Sequence, residues 1–193
     1  MSGDGALTGT LAQPRADLTA EFDRIAAAGL ILTNADLTLS FRKGANSSDG
    51  RIAVTSGSNY GPARASGDFF LTEGGVRLSG VDLDAGGVTA QGDVALTNGV
   101  PASADLSFTA GPGAFIQTGE ARGRVRLTEG AGSETAILDV TATNLRPAGQ
   151  DITIRNLALS GRGTLSRLPF TLVADVGGDT PVQFDGSGVY SRQ

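Results

Sequence analysis

The sequence predicts an all-β protein whose strands follow one another as an antiparallel meander, on three observations. Apolar and polar residues alternate through several segments, clusters of Gly, Asn and Pro separate those segments, and one phrase beginning with glycine returns three times at unequal spacing. Alternation with a period of two is the mark of a strand with one wet and one dry face.

The first alternating segment is RADLTAEFD, in which Ala16, Leu18, Ala20 and Phe22 fall on one side, against Arg15, Asp17, Thr19, Glu21 and Asp23 on the other. Ala35, Leu37, Leu39 and Phe41 repeat the pattern, as do Ala102, Ala104, Leu106 and Phe108; Ala136, Leu138, Val140 and Ala142; and Phe170, Leu172, Ala174 and Val176. Between them lie the turn residues Gly74-Gly75, Gly86-Gly87, Asn98-Gly99-Val100-Pro101, Gly111-Pro112-Gly113, Gly130-Ala131-Gly132 and Gly177-Gly178, which predicts about a dozen short strands joined by hairpin-like loops. One stretch has a second reading. TAEFDRIAAAG, Thr19 to Gly29, could be a short helix capped by Thr19 and ended by Gly29, although the alternation running into Phe22 favours a strand and then irregular chain.

The repeated phrase is GDFFLTEGG from Gly67, GDVALTNGV from Gly92 and GRVRLTEGA from Gly123. In each copy the glycine has the parity of the apolar residues, and Gly9 between Leu7 and Leu11 repeats the arrangement. A glycine inside a strand costs about 0.5 to 1 kcal/mol relative to alanine and marks a bend, a bulge or a close approach to the backbone. The phrase therefore describes a curving strand with a notch in its dry face. Copies stand 25 and then 31 residues apart. Stacked solenoid rungs hold their period nearly constant, whereas hairpin loops in a meander lengthen freely, so the drift favours the meander.

What covers the dry side decides the function. Its candidate residues are Leu18, Phe22, Leu37, Leu39, Phe41, Phe69, Leu71, Val94, Leu96, Leu106, Phe108, Val125, Leu127, Leu138, Val140, Phe170, Leu172 and Phe184, interleaved with Ala and Gly. Small residues alternating with large ones can fill a β-sandwich or line a trough left open, and the residues leave both readings standing.

Composition excludes more than it selects. The 193 residues hold no His, Cys or Trp, so Ser-His and Cys-His catalysis, His-ligated metals and disulfides are ruled out, and no cofactor is expected. A carboxylate-only glycosidase or lyase is disfavoured because sugar clefts want aromatic platforms and only Tyr60, Tyr190 and eight Phe are present. The chain is therefore not expected to be an enzyme. A net charge of −5, with Lys43 the only lysine, argues against nucleic acid. The longest apolar run, Ile25 to Leu32, is far short of the roughly 20 residues of a spanning helix, and MSGDGALTG has no secretory signal. Asp82 and Asp84 could ligate calcium but read more simply as solvent-facing strand residues. NSSDG, Asn46 to Gly50, reads as a loop tip. Arg122, Arg124 and Arg126 point one way along a strand and could meet phosphate head groups or pair with acids on a neighbouring strand.

The run GTLAQPRADLTAEFDRIAAAGLILTNADLTLSF and the repeated G-D-V-x-L-T-x-G and A-D-L-S-F phrases resemble the degenerate repeats of TamB, the translocation and assembly module family of the AsmA-like superfamily, over nearly the whole chain. The resemblance implies a long β-sheet folded lengthwise into an open, taco-like groove with an apolar interior. It also implies a place in the periplasm, an inner-membrane anchor, phospholipid transport between the membranes, and support of outer-membrane protein assembly with a barrel partner of the TamA type. On this reading residues 1–193 are a single β-repeat domain cut from the middle of a longer protein, and the candidate residues above line the lipid groove. The alternative is a structural or adhesive β-sandwich with a sealed core.

Overall fold

The computed structural model describes residues 2–27, 30–128, 135–164, 167–177 and 182–191. Every regular element among them is a strand: β1 (Ser2–Gly9), β2 (Pro14–Ala27), β3 (Leu30–Lys43), β4 (Ser48–Ser58), β5 (Gly61–Thr72), β6 (Gly75–Ala85), β7 (Val88–Thr97), β8 (Val100–Ala110), β9 (Ile116–Thr128), β10 (Thr135–Pro147), β11 (Thr153–Gly163), β12 (Arg167–Gly177) and β13 (Val182–Ser191). They form one antiparallel meander sheet in the order of the sequence, and the sheet is not closed. No helix among the described residues is long and apolar enough to cross a membrane.

The turns sit where the sequence marks them. Gly86 and Gly87 have φ of 61° and 84°, Asn98 and Gly99 of 52° and 77°. Two successive positive-φ residues make the primed turns whose twist matches that of a hairpin. Gly130-Ala131-Gly132 and Gly178 lie outside the described residues.

Two readings are corrected. The helix considered for Thr19 to Gly29 does not form: β2 stays in register with β3 from Arg15 opposite Arg42 to Ala27 opposite Leu30. A helix this short is marginal in water, and a neighbouring strand satisfies the same backbone groups. Gly29 itself is outside the described residues. The loop expected at Asn46 to Gly50 is shorter, because Asp49 and Gly50 belong to β4 and pair with Arg42 and Phe41.

Residue contacts divide the chain into two compact units, Met1–Gly86 with Gln91–Pro101, and Gly87–Ala90 with Ala102–Gln193. In the first, register breaks fall between Thr33 and Asp36 on β3 and opposite Ser66 to Asp68 on β6. Asn34 and Gly80, with φ of 49° and 56°, supply the left-handed residues there. In the second, breaks occur around Asn144, with φ of 47°, and beside Arg155. A bulge inserts one residue and so reverses the parity of the strand beyond it, which is why β6 presents Val76 and Leu78 before Gly80 but Val81 and Leu83 after it.

Burial is thin. The buried apolar residues among those described are Ala35, Ala63, Ala102, Ala136, Ala142 and Ala174 with Ile116 and Leu127, and no large side chain is fully enclosed.

Candidate functional site

Residues directly opposite one another in an antiparallel ladder point to the same face, so the registers trace rows across each unit. In the first unit Leu7, Ala16, Phe41, Gly50, Phe69 and Leu78 form one row over β1 to β6. Gly5, Leu18, Leu39, Ile52 and Gly67 form the next, and Gly3, Ala20, Leu37, Val54, Ala65 and Leu83 a third. Leu71 stands opposite Ser48 and Val76 on the same face, and Phe22 opposite Ala35. On β7, half-buried Val94 and Leu96 alternate with exposed Asp93 and Thr97.

The second unit repeats the plan over β8 to β13. One row is Phe108, Gly123, Val140, Leu159, Leu172 and Gly186, and another is Leu106, Val125, Leu138, Gly161, Phe170 and Gly188. Flanking them run Ala110, Ala121, Ala142, Leu157, Ala174 and Phe184, and, on the other side, Ala104, Leu127 and Ala136. Within each unit the apolar candidates that these registers join, all but Val94 and Leu96, therefore share a face. Most are half-buried; Leu18 at 45 % and Phe184 at 51 % are exposed, and Leu127 at 5 % is enclosed.

Several residues of these rows are absent from the candidates named from the sequence. Val76, Leu78, Val81 and Leu83 are split by the Gly80 bulge, and the glycine between two apolar pairs was the available signal. Val54, Leu157 and Leu159 alternate plainly but carry no repeated phrase.

The glycines of the phrase have separate reasons. A methyl group on Gly123 would meet Phe108 at 2.5 Å and the Asp139 carbonyl oxygen at 3.0 Å, so the Phe108 ring lies across the notch. At Gly67 the same methyl would touch Val81 at an ordinary 3.6 Å. Gly50, outside the phrase, lies under the Phe69 ring and against the Ser40 carbonyl. The notch at Gly123 is thus filled by the protein's own aromatic ring.

Charges gather on the opposite face and satisfy each other. Arg124 donates two hydrogen bonds of 2.9 Å to Asp105, and Arg126 adds a third at 3.3 Å. The Arg124 hydrogen bond, with the positive charges of Arg124 and Arg126, holds the exposed Asp105 carboxyl below its ordinary range, against a smaller opposing effect of desolvation. Arg122 pairs with Glu120 at 3.0 Å. Asp84 pairs with Arg64 at 3.3 Å and Asp82 accepts from Gln91 at 3.5 Å, which occupies the carboxylates considered for calcium. Asp68 pairs with Arg51 at 3.1 Å, whereas Asp93 accepts the Gly80 backbone N–H at 2.9 Å and so pins the bulge. No group of three or more acidic residues suited to a metal occurs among the described residues.

Two surface concavities of about 570 and 460 Å³ lie on the polar face, one among Asp139, Ser160, Thr171, Ser187 and Arg162, the other among Asp17, Thr19, Thr38, Ser40 and Arg51. Apolar side chains line them as well, Ile137, Pro169 and Val189 in the first and Ala6 and Ala53 in the second.

What these features define is an open antiparallel meander sheet with one apolar and one ion-paired face in each unit. The chain matches no protein-family model, no curated protein and no solved structure.

Proposed function

We propose that the apolar face binds lipid acyl chains, and that the chain is a segment of a periplasmic hydrophobic groove of the TamB kind, carrying phospholipid between membranes and assisting outer-membrane protein assembly. The observation that carries this reading is the run of apolar rows left without a fully buried large side chain. A row of six strands extends over five steps of about 4.8 Å, or about 24 Å. One leaflet's acyl chains occupy about 15 Å, half the hydrocarbon thickness of a bilayer. Each CH₂ laid against such a row recovers up to about 0.8 kcal/mol, with no polar contact required. That fits a site holding only hydrocarbon and glycine. Place, inner-membrane anchor and a TamA-type barrel partner rest on the resemblance of the repeats, and belong to the longer protein which that resemblance implies.

A sealed structural or adhesive sandwich is the competing reading. Exposures of 45 % at Leu18 and 51 % at Phe184 favour the open face over it. Native mass spectrometry of the purified chain after incubation with phosphatidylethanolamine micelles separates the two. Phospholipid adducts lost on Val140→Asp and kept on Thr141→Asp are expected; adducts that are absent, or that ignore both substitutions, would refute lipid binding at this face.

A further inference from the structure

We propose that a concavity at one end of the apolar face of the first unit holds the head group of an amine-bearing phospholipid, with Lys43 on the phosphate and Glu73 on the ammonium. The site takes its ligand class from the acyl-chain reading of that face, on which it rests. Lys43, the only lysine in the chain, has the parity of Leu39 and Phe41, and its row continues through Ser48, Leu71 and Val76. It stands two residues, about 7 Å, from the row of the stacked Phe41 and Phe69 rings. The three apolar rows through Phe41, Leu39 and Leu37 hold no charged residue. A lysine at such an edge lays its stem along hydrocarbon and carries its ammonium out to water.

The turns between β3 and β4 and between β5 and β6 border the concavity, about 730 Å³ lined by Lys43, Asn46, Ser47, Ser48, Leu71 and Glu73. The Gly44 N–H donates to the Ser47 carbonyl at 2.7 Å and holds the first turn closed. Neither Lys43 nor Glu73 forms an ion pair among the described residues, whereas Arg42, Arg51 and Arg64 each have an aspartate. A cation and an anion left unpaired in one concavity, beside hydroxyl and amide groups, match a zwitterion: its phosphate accepts from Lys43 and the serines, and its ammonium donates to Glu73. The other face fixes the sign of this end. Its nearest row carries Arg15, Arg42 and Arg77 against Asp49, and the row six residues along β2 carries Glu21, Asp36 and Asp84 against Arg64. Six residues span about 20 Å, well beyond the Debye length of about 8 Å at physiological salt, so the acidic row is screened from a phosphate at Lys43. The acyl chains then run from this end over Phe41 and Phe69.

Nitrogen-15 NMR of the whole chain, titrated with short-chain lipids below micelle formation, reads the two parts of the site separately: Ser47 and Ser48 amides for the head group, Leu39 and Phe69 amides for the chains. Lys43→Gln, which keeps an apolar stem, is expected to weaken dihexanoyl phosphatidylethanolamine about tenfold and to leave dihexanoylglycerol, which has no phosphate, unchanged. Glu73→Gln is expected to abolish the preference for the ethanolamine lipid over dihexanoyl phosphatidylglycerol. Equal affinity for the ethanolamine lipid in the native chain and in both variants overturns the head-group site and leaves the lipid-binding face standing. Glycerophosphoethanolamine, a head group without chains, supplies the converse: shifts at Ser48 that vanish in Lys43→Gln, with Leu39 and Phe69 indifferent to every lipid, uphold the site and overturn the face. Silence of both sets of amides overturns both.

Discussion

Phe41 and Phe69 stack across Gly50, their centroids 6.5 Å apart and their planes 18° from parallel. The three belong to one row of the apolar face, on β3, β4 and β5, and the glycine is what lets the rings approach. A methyl on Gly50 would run into both the Ser40 carbonyl and the Phe69 ring. Gly50→Ala should therefore be among the most damaging single substitutions in the chain, costing about 3 kcal/mol or more as backbone and ring are both displaced. Urea unfolding monitored by circular dichroism measures it; a loss below about 1 kcal/mol would mean the row is loosely held.

The repeated phrase yields a pair of opposite expectations. Gly123→Ala must lift the Phe108 ring and crowd the Asp139 carbonyl, so a loss of about 1 to 3 kcal/mol is expected. Gly67→Ala meets only ordinary contacts and removes the entropy that glycine loses on folding, so stability should rise by about 0.5 to 1 kcal/mol. Urea midpoints of the two variants moving in the same direction would contradict this division.

These cases indicate how far the sequence reaches. Strand identity, turn positions and the face of Phe69, Phe108 or Leu127 follow from local period, because a pleated strand must alternate and a hairpin turn needs positive φ. Alternation also assigns Leu106 and Phe170 to one face although they are 64 residues apart in sequence. Bulges are less legible: Asn34 and Asn144 shift the register, yet neither interrupts a visible pattern. The filling of Gly123 by Phe108 depends on which residues stand opposite each other across strands, and period alone does not give register. The extension of β2 to Ala27 was hidden for a related reason, since alanines suit a helix locally and the choice belongs to the ladder with β3.

Aspartates that occupy the same place in the phrase should behave differently. Asp93 accepts the Gly80 N–H at the β6 bulge, while Asp68 makes an exposed ion pair with Arg51. Asp93→Ala should cost about 1 kcal/mol and Asp68→Ala at most about 0.5 kcal/mol. Hydrogen exchange at the Gly80 amide is the local readout, expected to accelerate in the Asp93 variant alone.

Asp105 gives the expected pH dependence. Its carboxyl is held below the ordinary value of 3.8 in the folded chain, first by the Arg124 hydrogen bond and then by the charges of Arg124 and Arg126. A folded value below the unfolded one means that the unfolded chain takes up the proton more readily as pH falls. The contribution is thus present above about pH 3.8 and is lost as pH drops through the lower folded value. The Asp105 side chain is 45 % exposed, so solvent screening keeps the effect small. Asp105→Asn should lower the thermal midpoint slightly at pH 7 and the gap should close on acidification. Thermal melts at pH 7 and pH 2.5 test it: a gap that stays constant between them would mean that the side chain acts by packing, and a gap that widens in acid would reverse the sign of the linkage.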